Sequence, residues 1–130
     1  MGQPVVHFEI IGRDPASLRS YYSQLFDWEF DTDSPVAPAI SEEGNYGFVT
    51  APTTAGGDDI GIPGGVGGGP GYPSHALFYV SVENVEQALA SAEQLGGTRV
   101  LGPQKNPSGA LVVGHFLDPE GHLVGVAGPR

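Results

Sequence analysis

The 130 residues fit one domain, and 39% hydrophobic with 9% aromatic side chains supply enough apolar material for a packed core. Fifteen acids against five bases give a formal charge of -10, a field that repels nucleic-acid phosphates and anionic membranes, so neither is expected as a partner. There is no cysteine, which excludes a disulfide framework and a thiolate zinc site, and the opening MGQPVVHFEIIGRD has no leader pattern; a cytoplasmic chain is expected.

Val5 to Ile11 alternates as a strand, with Val6, Phe8 and Ile10 on one face and Val5, His7, Glu9 and Ile11 on the other. Asp14 has the character of an N-cap with Pro15 at the first helical position, and Leu18, Tyr21, Tyr22, Leu25 and Phe26 follow at helical spacing. That spacing predicts an amphipathic helix with Tyr21, Tyr22, Phe26 and the nearby Trp28 in the core. Trp28 to Asp33, Val36 to Ser41 and Tyr46 to Ala51 read as short strands between Asp, Pro and Gly-Asn turn signals. Residues 55 to 72 hold nine glycines and two prolines, a composition that predicts a connector or flap and no central strand.

Ser74 to Val82 alternates again, with His75, Leu77, Tyr79 and Ser81 on one face. Asn84 caps a second helix with Gln87 in the capping-box position, and Gly96-Gly97 ends it. Thr98 to Leu101, Ala110 to Leu117 and Leu123 to Ala127 read as strands, the last two joined by the turn Asp118-Pro119-Glu120-Gly121. His115 and His122 flank that turn and are expected either at the surface or behind the site, supporting it. A shift of seventy residues lays Asp14 on Asn84, Leu18 on Ala88 and Leu25 on Leu95, so strand, cap and helix recur. The repeat predicts a single α+β domain of two tandem βαβββ modules: residues 4 to 52, a glycine-rich connector over 53 to 73, and residues 74 to 130. Two curved mixed sheets forming a shared cleft, with the helices outside, is the economical arrangement, and a ligand belongs in that cleft.

VVHFEI followed by DPASLRSYYSQLFDWEF resembles the first module of the vicinal oxygen chelate superfamily, and VSVENVEQALASAEQLGGTRVLGP with FLDPEGHLVGV resembles its second. The superfamily includes glyoxalases, extradiol dioxygenases, epimerases and bleomycin-sequestering proteins, so the resemblance implies a fold more narrowly than an activity. It also implies, in metal-dependent members, His and Glu ligands from the first and last strands of each module, with positions left open for a substrate's paired oxygens. His7 stands at the first such position, but the second-module counterpart is Leu77. His75 lies two residues away, displaced by roughly 6.6 Å along a strand. The last-strand Glu is replaced by Gly125, and NYGFVTA, read as the first module's last strand, offers no acid or histidine.

This donor count predicts no cofactor, with a divalent metal on His7 as the alternative. The expected function is a metal-independent small-molecule binder of the glyoxalase/bleomycin resistance type, its cleft lined by His7, Glu9, His75, Leu77 and Tyr79. The rival is an enzyme: a metal-dependent lyase, isomerase or dioxygenase, or a metal-free acid-base catalyst using His7 and Glu9. A small organic molecule and a second copy in a homodimer are the expected partners.

Overall fold

The structure, a computed structural model, describes residues 2–107 and 109–130. Its elements run β1 (Val5–Gly12), α1 (Pro15–Phe26), β2 (Gly47–Val49), β3 (Gly64–Gly68), β4 (His75–Ser81), α2 (Val85–Gln94), β5 (Thr98–Lys105), β6 (Val112–Leu117) and β7 (Leu123–Gly128). Parallel and antiparallel strand pairs with two helices make this an α+β fold. The chain divides into two compact units, His7–Ala76 and a second made of the segment ending at Val6 with Leu77–Arg130.

In the first unit, β3 is the middle strand, parallel to β1 with Glu9 opposite Gly65 and antiparallel to β2 with Phe48 opposite Gly65. The connector expected over residues 53 to 73 therefore contains a buried central strand, GGVGG. Glycine costs conformational entropy here, but the missing side chains are replaced by neighbours. A Cβ on Gly64 would lie 2.1 Å from the Phe8 ring, and one on Gly65 would lie 2.0 Å from the Tyr46 ring. The strand's edge is closed by the wholly buried Ser41, whose Oγ accepts from Gly68 N at 2.9 Å. The strand expected over Trp28 to Asp33 shrinks to one bridge, Asp31 with Phe48. Val36 to Ser41 is a turn rather than a strand, because Pro35 and Pro38 cannot donate to a ladder. Ala37 and Ile40 from that turn still enter the core.

The helix predicted after Asp14 is present, with Asp14 accepting from Ser17 N at 3.1 Å and Pro15 in the first turn. Its packing departs from expectation. Tyr21 is 60% exposed, Leu25 56% and Phe26 53%, and only Pro15 of the helix is fully buried. The aromatic residues pack on one another instead, Tyr22 stacked on Trp28 at 5.5 Å and Phe26 tilted against Trp28 at 5.3 Å between ring centres.

The second unit is more conventional, with β4 parallel to β7 and β7–β6–β5 antiparallel. Asn84 accepts from Gln87 N at 3.0 Å, so α2 starts where the sequence places it. Val85 and Leu89 of α2 pack on Val82, Val112 and Val126 to form the core. The turn after β6 is held by Asp118 Oδ1, which accepts from the backbone N–H groups of Glu120 and His122. Those bonds to the charged form, His122 N first, hold the Asp118 carboxyl below its usual value.

The glycine strand carries a sharp expectation. Gly68 has φ +123 and a Cβ there would lie 2.0 Å from the Gly12 carbonyl oxygen, whereas Gly56 has only Thr54 Oγ1 at 3.8 Å. Gly68→Ala is expected to lower unfolding free energy by about 1–3 kcal/mol or more. Gly56→Ala is expected to stay within about 0.5 kcal/mol of the parent. Urea titrations of the two variants check this.

Candidate ligand-binding site

Alternation on β1 places His7 and Glu9 on one face, as the sequence predicts, and the first unit adds a residue that links them. Tyr46, just before β2, donates its hydroxyl hydrogen to Glu9 Oε1 at 2.8 Å, and the Tyr46 hydroxyl oxygen itself lies 2.9 Å from His7 Nε2. A phenol has one hydrogen. With that hydrogen on Glu9, the bond from His7 is one in which Nε2–H donates to Tyr46. Glu9 is 2% exposed and Tyr46 is equally buried, while His7 is half-buried and is the member of this chain that reaches toward solvent. Burial pushes the His7 imidazole down to about 4, so it is neutral at physiological pH.

The other sequence-predicted site residues fall differently. His75 belongs to the first unit, but its Nδ1–H donates to the Pro73 carbonyl at 2.8 Å, a local turn contact. Leu77 and Tyr79 belong to the second unit and are buried in it. There Tyr79 pairs with His115, hydroxyl to Nε2 at 2.7 Å. Of the two positions expected for His115, the surface one does not hold: it is 6% exposed, because β6 is an inner strand flanked by β5 and β7.

The two units thus repeat one motif with the partners exchanged. In the first, histidine comes from β1 and tyrosine from the start of β2; in the second, tyrosine comes from β4 and histidine from β6. In each, the tyrosine ring covers a glycine of the last strand. Tyr46 lies over Gly65, and Tyr79 lies over Gly125, where a Cβ would come within 2.4 Å of ring carbon Cδ1. The register makes these glycines equivalent, since Gly65 is opposite Glu9 on β1 and Gly125 is opposite Tyr79 on β4. The first module's last strand is therefore β3, not the segment Tyr46 to Ala51, and its ligand position is glycine as well.

In the ligand arrangement that the family resemblance implies, a divalent metal takes donors at those last-strand positions. Both lack a side chain and lie under rings, and among the described residues no three His, Asp or Glu side chains come together as a metal-binding group. This donor set does not fit such a metal.

Sequence reasoning missed Tyr46 and His115. A signal for Tyr46 was present in the G-G-V-G-G pattern, since glycines on one face of a buried strand leave space for a ring from a neighbour. His115 alternates with Val113 and Leu117 on β6, which marks a common face.

The fold and the sequence agree on the family. The chain matches the Glyoxalase/Bleomycin resistance protein/Dioxygenase superfamily over residues 5–126, and it belongs to that superfamily. Among solved structures it is similar to a Streptomyces coelicolor methylmalonyl-CoA epimerase variant in complex with 2-nitronate-propionyl-CoA, with TM-score 0.64, 12% identity and 98% of each chain covered. A hypothetical protein from Bacillus halodurans C-125 is similar at TM-score 0.61 and 12% identity, covering 100% of this chain and 96% of that one. At these identities the likeness is one of fold. No curated protein matches. Among the described residues no helix is long and apolar enough to cross a membrane.

Two measurements follow from the geometry. Between pH 6.5 and about 4 the unfolded chain binds a proton at His7 that the folded chain refuses, so stability falls as pH drops through that window. The full loss amounts to about 3 kcal/mol. Denaturation of the parent and of His7→Gln at pH 7 and 4.5 is expected to show a steeper loss in the parent. Gly125→Ala is expected to destabilise by about 1–3 kcal/mol and to lose most of that penalty in a Tyr79→Ala background, a coupling that a double-mutant cycle reads directly.

Proposed function

We propose that the chain is a metal-independent small-molecule binding protein of the glyoxalase/bleomycin resistance type, which meets its ligand at His7. The observation that supports this reading is the pair of ring-covered glycines, Gly65 and Gly125, at the last-strand positions where metal-dependent relatives carry a ligand. Tyr46 and Glu9 stand behind His7 and fix its proton on Nε2, so a ligand is presented with an imidazole of defined tautomer and orientation. With only five basic residues and a charge of -10, the chain suits uncharged or cationic organic molecules better than phosphorylated ones. That balance separates it from the CoA esters bound by its epimerase neighbours.

A second reading rests on the hydrogen-bonded chain itself. A neutral imidazole joined through a phenol to a buried carboxylate is an arrangement suited to moving a proton at an acidic carbon beside a carbonyl. In this reading His7 is the proton-transfer group and Tyr46 and Glu9 are positioning residues.

One titration series addresses both. Small aromatic amines and uncharged carbonyl compounds are screened by protein NMR against the chain, before and after chelator treatment, and against His7→Ala. Binding is expected to survive the chelator and to weaken by about tenfold or more in His7→Ala, a loss of the size of one hydrogen bond in a partly desolvated site. Binding that appears only with added divalent metal overturns the proposal. Deuterium exchange from solvent into the α-carbon of a bound carbonyl compound, lost in His7→Ala and slowed in Tyr46→Phe, establishes the catalytic reading in its place.

A further inference from the structure

The second unit contains an apolar trough that the site around His7 does not use. It lies between α2 and the sheet, has a volume of about 460 Å³, and is floored by Val80, Val82, Phe116 and Val126. Its helix wall is made of Ala88 and Ala92, residues too short to fill the space. Leu95, 80% exposed, forms an apolar lip. Cores normally close such gaps with larger side chains, and a volume of this size falls in the range of small-molecule sites.

The polar groups at the rim decide which charge the trough accepts. Gln3, Asn84, Gln87 and Ser91 are uncharged, and among the described residues Glu83 is the one charged residue that lines it. The start of a helix ordinarily favours anions, but two of the donors are already engaged here. Val85 N donates to the main-chain oxygen of Arg130 at 2.6 Å, and Gln87 N donates to the Asn84 side chain. Arg99, on the same unit, is committed to Glu86 and Glu93 at 2.7 and 3.1 Å. An anion entering the trough would meet capped amides and a carboxylate; a cation would meet the carboxylate alone, within a protein of charge -10.

We infer that this trough is a second binding site, for a small amphiphilic cation whose apolar body lies on Val80, Val82 and Phe116 and whose ammonium group faces Glu83. The site is independent of the reading given to His7, and the two are separable by where a ligand perturbs the protein.

The probe is 4-phenylbutylamine, compared at pH 7 with 4-phenylbutyrate, which has a similar body and the opposite charge. Methyl-resolved NMR titration is expected to shift Val80, Val82, Val126, Ala88 and Ala92 with the amine. The amine is expected to bind about three- to fivefold more tightly than the carboxylate, the discrimination a solvent-accessible ion pair supplies. Glu83→Gln, an exposed substitution that leaves the core untouched, is expected to remove that preference, and Ala92→Phe is expected to fill the trough and abolish both. Absence of methyl shifts at millimolar amine, equal binding of the two probes, or shifts confined to His7 and Tyr46 overturns the inference.

Discussion

The fold of the first unit depends on aromatic rings occupying the space that glycines leave open. β3 has one side chain beyond hydrogen, Val66, and without Phe8 over Gly64 and Tyr46 over Gly65 and Gly67 it would be a bare ribbon with no reason to sit between two other strands. Backbone hydrogen bonds on both edges satisfy its polar groups, and the rings supply the burial. The same packing sets the chemistry. A ring held flat on β3 carries its hydroxyl to a fixed point, which is how Tyr46 comes to lie between His7 and Glu9.

The second unit uses an equivalent device at Gly125 and Tyr79, and the consequence for metal chemistry is the same. A carboxylate cannot be restored at either glycine by substitution alone, since the overlying ring occupies the space the new side chain would need. The ring that covers each last-strand glycine thus belongs to the same tyrosine that pairs with a histidine. The first unit holds a neutral imidazole whose proton position is set by a phenol and a buried acid.

Charge and apolar surface complete the picture. The acid-rich composition is not spread evenly: α1 carries Arg19 as its single charge, and among the described residues the trough beside α2 meets one charged side chain, Glu83. Apolar side chains are exposed at both places, Tyr21, Leu25 and Phe26 on α1 and Leu95 at the lip of the trough, as they are elsewhere at Ile60 and Val100. In a chain of -10, apolar contact with another molecule is least opposed at such places.

By itself the sequence determined the family, the two capped helices, the β1 and β4 alternation and the Asp118 turn, because each rests on local spacing: caps and turns bond within a few residues, and strand faces follow a period of two. It also determined that His7 and Glu9 share a face and that position 125 has no ligating side chain. Tertiary structure alone decided that a glycine run becomes a central strand, that α1 leaves much of its aromatic face uncovered, and that Tyr46 and His115 join the buried polar groups. The last of these rests on contacts between residues 36 to 39 positions apart, Tyr46 with Glu9 and His7 and Tyr79 with His115, and the glycine strand on pairing and ring contacts 19 to 56 positions apart, Tyr46 over Gly65 and Phe8 over Gly64. Local pattern cannot weigh the entropy cost of a glycine strand against rings that arrive from a distant segment, so composition pointed to a connector where packing made a core.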